Sequence, residues 1–321
     1  MSGNGDRTWS SDPSAHQEEI RSYHRQPVIK EPVWTWEIPC YFFTGGLAGA
    51  SAGLAYLSEL RGEEVLARRT WAAATVGVAA SPMLLISDLG RPARFLNMFR
   101  MFKVTSPMSV GSWILAGSSA ATTVAAANSW LGMFPRLARV MRPAAALLGL
   151  PLSTYTAALV TNTSVPAWHE ARRMLPLVFG AGACLSAGAG GVISTPPPHA
   201  AAARRLAVAG AAAELAFNEI MHRRLGQQGE AYKRKPAGTF GHLARGVLVA
   251  GTALLLTRGS KSRGGAAAAG SLLLGGALSA RWSVFKAGFT SVSDPKYVIG
   301  PQRERIEQSQ SAGSMAKDPV R

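Results

Sequence analysis

Five stretches of this chain, residues 38–58, 70–87, 110–131, 144–163 and 174–194, each run for about 18 residues or more without a charged side chain. As helices rising about 1.5 Å per residue, such stretches are long enough to cross the ~30 Å hydrocarbon layer of a bilayer. Lipid offers the backbone no water to bond, so repeated runs of this kind fold as helices that pack against one another. Three weaker stretches follow at 206–221, interrupted by Glu214 and Glu219, at 243–257 and at 265–280. The expected fold class is an all-α integral membrane protein, a bundle of about eight transmembrane helices over residues 34–290. Glycines recur in the spans, among them Gly45, Gly46, Gly49, Gly182, Gly188, Gly275 and Gly276. Small residues of this kind let helix backbones approach closely in lipid.

Composition agrees: 47% of the 321 residues are hydrophobic and 16% charged, against roughly 25% charged in an ordinary soluble domain. The net charge of +16 follows from basic loops beside the lipid headgroups, and no nucleic-acid partner is expected. Two cysteines, Cys40 and Cys184, make no disulfide framework and are too few for an iron–sulfur cluster, which takes about four. The six histidines fall outside the predicted spans, so no imidazoles face each other for a haem. No metal ligand set is expected, and any electrons handled here come from another chain.

Residues 1–33 are polar, contain Pro13, Pro27 and Pro32, and lack the apolar core of a signal peptide. They are expected to be a disordered tail, with a second polar, basic tail at 291–321. Eight spans place both tails on one side, and that side carries roughly twice as many Lys and Arg as the other. Both termini are therefore expected in the cytoplasm, with the spans in the cell (inner) membrane.

Polar residues at span ends carry what chemistry the chain has. Asp88 ends the second span, where a carboxylate is costly unless hydrated or paired, and Arg91 is its expected partner. It serves either as a clamp on the loop or as a proton carrier. The loop that follows interleaves Arg91, Arg94, Arg100 and Lys103 with Phe95, Phe99 and Phe102, which suits the headgroup region. Glu214 lies deep in the sixth span and is a candidate for a proton path, whereas Glu219 is expected at the headgroups.

The segment DLGRPARFLNMFRMFKVTSPMSVGSW, residues 88–113, resembles the signature of the polysulfide-reductase membrane-subunit family, the NrfD/PsrC type. Three further stretches resemble it in the same order: WTWEIPCYFFTGGLAGA at 34–50, YTAALVTNTSVPAW at 155–168 and DPKYVIGPQR at 294–303. The resemblance implies the membrane subunit of a respiratory oxidoreductase that exchanges electrons and protons with a quinone or menaquinone. The partners it implies are an iron–sulfur ferredoxin-like subunit and a molybdopterin catalytic subunit such as a formate dehydrogenase, besides the lipid bilayer. It places Tyr41 where some relatives have a histidine and matches Tyr155 to a pocket tyrosine. Where relatives have an asparagine this chain has Ile38, with Glu37 beside it. Trp168 and His169, in the loop after the fourth span, belong either to the quinone pocket or to a partner contact.

Two other readings fit the same pattern. One is a transporter of two four-helix repeats, since eight spans with intramembrane carboxylates also suit it, although no clear internal repeat is visible. The other is a purely structural anchor for a redox complex.

Overall fold

The computed structural model describes residues 28–300, 302, 303 and 306. Most of the N-terminal tail expected at 1–33, and most of the C-terminal tail, lie outside the described residues. Eight long helices make up most of the described chain, joined by short helical turns and loops: α1 Glu37–Leu60, α2 Glu64–Asp88, α3 Pro107–Leu131, α4 Pro135–Thr161, α5 Leu175–Ser194, α6 Ala201–Arg224, α7 Ala237–Thr257 and α8 Arg263–Ser293. Five of them, α2, α3, α4, α5 and α7, are long and apolar enough to cross a membrane by length and composition alone. Among the described residues there is no strand. The chain is an all-α, multi-pass membrane bundle.

Local chemistry sets the helix ends. Ser106 caps α3 by accepting from the Ser109 amide, and Pro107 follows in the first turn, where its missing N–H costs nothing. Gly132 ends α3 at φ 69, a left-handed position that glycine adopts without strain. Ser262 caps α8 through the Gly265 amide at 3.0 Å.

The helices alternate in direction, so Asp88, the 162–174 loop, the 225–236 loop and both ends of the described chain gather on one face. Tyr232 donates to the Ala167 carbonyl at 3.2 Å and Gln228 to the Tyr297 carbonyl at 2.6 Å. Burial raises the Tyr232 phenol well above its ordinary value, so it stays a neutral donor.

α1 to α4 form one half of the bundle and α5 to α8 the other. α5 sits at the seam, in contact with α1, α4, α6 and α8, and is the most buried of the five apolar spans. Glycines make the closest crossings. A Cβ on Gly49 would lie 2.3 Å from the Gly149 carbonyl oxygen, and one on Gly149 would lie 2.4 Å from that of Gly49. Gly149→Ala is expected to force α1 and α4 apart at about 1–3 kcal/mol, read as a lower unfolding temperature in detergent. Gly53→Ala, which meets nothing within 4 Å, is its neutral control. Gly275 also faces open space, so it does not share the packing role expected of the span glycines.

Span limits differ from expectation at several ends: α2 begins at Glu64 rather than 70, α4 at Pro135 rather than 144 and α6 at Ala201 rather than 206. α7 begins at Ala237 rather than 243, and α8 runs through Arg281 to Ser293 rather than stopping at 280. α6 continues to Arg224. His222 and His242, expected in loops, therefore stand on helices.

Candidate functional site

Glu37 and Tyr41 are four residues apart on α1 and share a helix face. Tyr41 is fully buried, and its hydroxyl is hydrogen-bonded to that of Tyr155 on α4. The two rings meet edge to face with centroids 6.4 Å apart. Gly111 on α3 provides the seat for the Tyr155 ring, since a Cβ there would fall 1.9 Å from Tyr155 Cε2. One turn deeper, Thr44 and Ser81 hydroxyls lie 2.9 Å apart, and Ser81 donates to the Gly77 carbonyl at 2.7 Å. Each phenol carries one proton and the pair uses one, which leaves one O–H to donate elsewhere.

Above this pair, Asp88 Oδ1 accepts from the Thr35 amide at 3.3 Å and the Thr35 hydroxyl at 3.2 Å. The same hydroxyl also meets Glu37, so its single proton is shared between the two carboxylates. Thr35 thus joins two carboxylates at the mouth of the bundle, one turn from Tyr41. The expected Asp88–Arg91 ion pair does not form. The chain reverses at Gly90, φ 63, and continues as a 3-10 helix over Pro92–Phe99, so the acid turns to the amide of the neighbouring segment instead. Phe99 then packs edge to face on Trp113 at 5.6 Å.

Trp168 has no exposed surface and donates through Nε1 to the Val284 carbonyl at 2.7 Å. Its ring stacks on Trp34 at 5.6 Å and on Phe285 at 6.4 Å, over Gly288, where a Cβ would come within 2.1 Å of it. Its polar atom is spent on backbone, and it is packed on both faces. His169 Nδ1 lies 3.3 Å from the Thr161 carbonyl, which can only accept, so that nitrogen carries the proton. Neither side chain reaches the tyrosine pair through a hydrogen bond.

Glu214 is fully buried in α6, about 15 Å from the end of that helix. It forms an ion pair with Arg281 of α8, Nη1 to Oε1 at 3.3 Å, and Arg281 is only 2% exposed. Arg281 also donates to the Phe179 carbonyl at 3.1 Å and lies over the Phe179 ring at 4.2 Å. Gly182 leaves the room, because a Cβ there would sit 2.2 Å from Arg281 Nη2. Glu219 faces outward to Arg223 and Arg245, as its five-residue offset from Glu214 requires.

Arg281, Thr35, Thr44, Ser81 and Gly111 were not singled out from sequence. A lone arginine at the end of an apolar run, in a chain with an intramembrane glutamate, was the available signal for Arg281. The hydroxyls carried none. Among the described residues, no three His, Cys, Asp or Glu side chains gather as a metal site. Residues 22–197, more than half of the chain, match the family model described as polysulphide reductase, NrfD. No curated protein matches the chain. The matched residues hold α1 to α5 with both tyrosines and Asp88; Glu214 and Arg281 lie beyond them.

Proposed function

The chain belongs to the NrfD polysulphide reductase family, whose members are membrane subunits of quinone-linked oxidoreductases, and on that premise we propose that it exchanges electrons and protons with a quinone or menaquinone held beside Tyr41 and Tyr155. The observation that carries this reading is the buried phenol pair with its spare O–H, one helical turn below two carboxylates that meet at Thr35. A quinone supplies two-electron, two-proton chemistry, with carbonyl oxygens that accept hydrogen bonds. The spare phenol proton binds and orients such a carbonyl. Asp88 and Glu37 stand where water meets the bundle and hand protons inward along the face of α1.

In this reading Arg91 holds the loop at the headgroups, and Trp168 and His169 shape the partner face rather than the pocket. Glu214 serves as the buried counter-ion of Arg281, apart from the phenols. Since the chain has two cysteines where a cluster takes about four thiolates, its electrons come from a partner, and an iron–sulfur ferredoxin-like subunit docks over the 88–109 and 163–173 loops. A molybdopterin catalytic subunit, such as a formate dehydrogenase, feeds it. The excess of Lys and Arg on the same side favours a cytoplasmic face in the cell membrane, and reporter fusions at both ends test that orientation.

Tyr155→Phe keeps the ring and removes one hydroxyl. Quinone-linked turnover of the assembled complex is expected to fall about two- to tenfold, the worth of one net hydrogen bond. Asp88→Asn is expected to slow the same turnover. Activity of the partner subunits with a soluble artificial acceptor stays intact in both. Unchanged quinone-linked turnover in both variants refutes the pocket and leaves the structural-anchor reading.

A further inference from the structure

A cavity of about 320 Å³ opens between α6, α7 and α8 on the face that carries both ends of the described chain. It lies outside the residues matched to the family and apart from the tyrosine pair. Its mouth carries His222, Lys233, His242 and Arg245, with Glu219 as the one carboxylate among its lining residues. That carboxylate is already held by Arg223 at 2.8 Å and Arg245 at 3.2 Å. Two permanent cations and two imidazoles therefore surround a space whose acid is spent. Deeper in, the wall turns apolar, with Leu215, Leu248 and Val284.

The helices explain why this space stays open. α6 and α7 touch only sparsely, whereas α5 packs along α6 and α7 along α8. On α7 the cavity is lined by the small residues Gly238, Gly241 and Ala244, with His242, Arg245 and Leu248 beside them. Just outside, Leu243 and Val249 are about half exposed and face the lipid. Polar groups sit at the level of the last turn of α6 and the first turns of α7, the depth of lipid headgroups.

We propose that this cavity binds the headgroup of an anionic phospholipid, a phosphate diester of the phosphatidylglycerol type, with its acyl chains along the exposed apolar edge of α7. Charge complementarity favours this occupant: basic pockets between membrane helices at the headgroup level take anionic lipid, and each nearby Lys or Arg adds to the attraction. A zwitterionic headgroup brings its own cation against Lys233 and Arg245 and is excluded. A quinone offers no anionic group for the mouth to hold.

The full-length protein, delipidated in detergent, is supplied with dioleoyl phosphatidylglycerol or dioleoyl phosphatidylcholine, and bound lipid is counted by native mass spectrometry. Wild type is expected to retain phosphatidylglycerol in preference to phosphatidylcholine. Lys233→Gln with Arg245→Gln is expected to weaken that retention about fivefold for each cation removed, while Glu219 keeps Arg223. Arg258→Gln with Lys261→Gln removes the same charge at the opposite end of the bundle and is expected to change nothing. Should the first pair fail to assemble, the exposed Lys233→Glu alone carries the same decision. Equal retention of phosphatidylcholine by wild type, or undiminished phosphatidylglycerol in the variants, overturns the proposal. So does inorganic phosphate, or a water-soluble quinone, that displaces the lipid or raises the unfolding temperature as much as phosphatidylglycerol does.

Discussion

Arg281→Ala is expected to destabilise the bundle by about 3–5 kcal/mol, read as loss of the monodisperse protein on heating in detergent. The cost comes from what is left behind. Glu214 is fully buried, and removing its partner strands a carboxylate in a medium that cannot solvate it. The Phe179 carbonyl loses its Arg281 donor and the Phe179 ring its cation. Glu214→Gln is expected to cost less, since its amide oxygen still accepts from Arg281. Replacing both at once, Glu214→Leu with Arg281→Met, is expected to recover most of the loss, because an apolar pair of similar volume needs no solvation. Gly182→Ala presses a methyl into the same space and is expected to lower stability in the same direction. If Arg281→Ala melts like wild type, the pair does not hold α6 to α8.

The same pair shows where the sequence is legible and where it stops. Uncharged length and small-residue content locate all eight helices, because lipid forces each apolar run to satisfy its backbone alone. Their limits are harder to read where a charge falls inside the membrane. Arg281 marked the end of a span only because its counter-charge, Glu214, is 67 residues away along the chain and unseen by a window. The α7 start differs for a related reason: its first turns, Ala237 to His242, hold His242 beside Gly238, Thr239 and Gly241 at headgroup depth, outside the apolar run. At the site, the resemblance singled out Tyr41 and Tyr155, and the structure hydrogen-bonds them. It could not find Thr35, whose part depends on the 88–91 turn bringing Asp88 to a neighbouring segment. Nor could it separate a glycine that packs helices, Gly49, from one that houses an ion pair, Gly182.

Trp168→Ala is the companion case, expected to cost about 3–5 kcal/mol as a large buried aromatic is emptied from the core. The ring is stacked between Trp34, from the segment entering α1, and Phe285 of α8, and its N–H holds the Val284 carbonyl. It therefore ties the first and last helices to the 162–174 loop on the face proposed to meet the partner. The resemblance left it open between quinone pocket and partner contact, and the two roles separate experimentally. If Trp168 shapes the partner face, Trp168→Ala lowers thermal stability and loosens retention of the iron–sulfur subunit on a sizing column. The quinone affinity of the subunit that stays bound is then unchanged. Tyr155→Phe is expected to do the reverse, leaving assembly whole and weakening quinone binding. Trp168→Phe keeps a ring in the stack but loses the bond to Val284 and part of the indole's volume, so it is expected to fall between, at about 1–3 kcal/mol. A Trp168→Ala protein that keeps its stability and its partner but binds quinone less tightly moves this residue into the pocket, and the pocket itself away from the phenol pair toward α8.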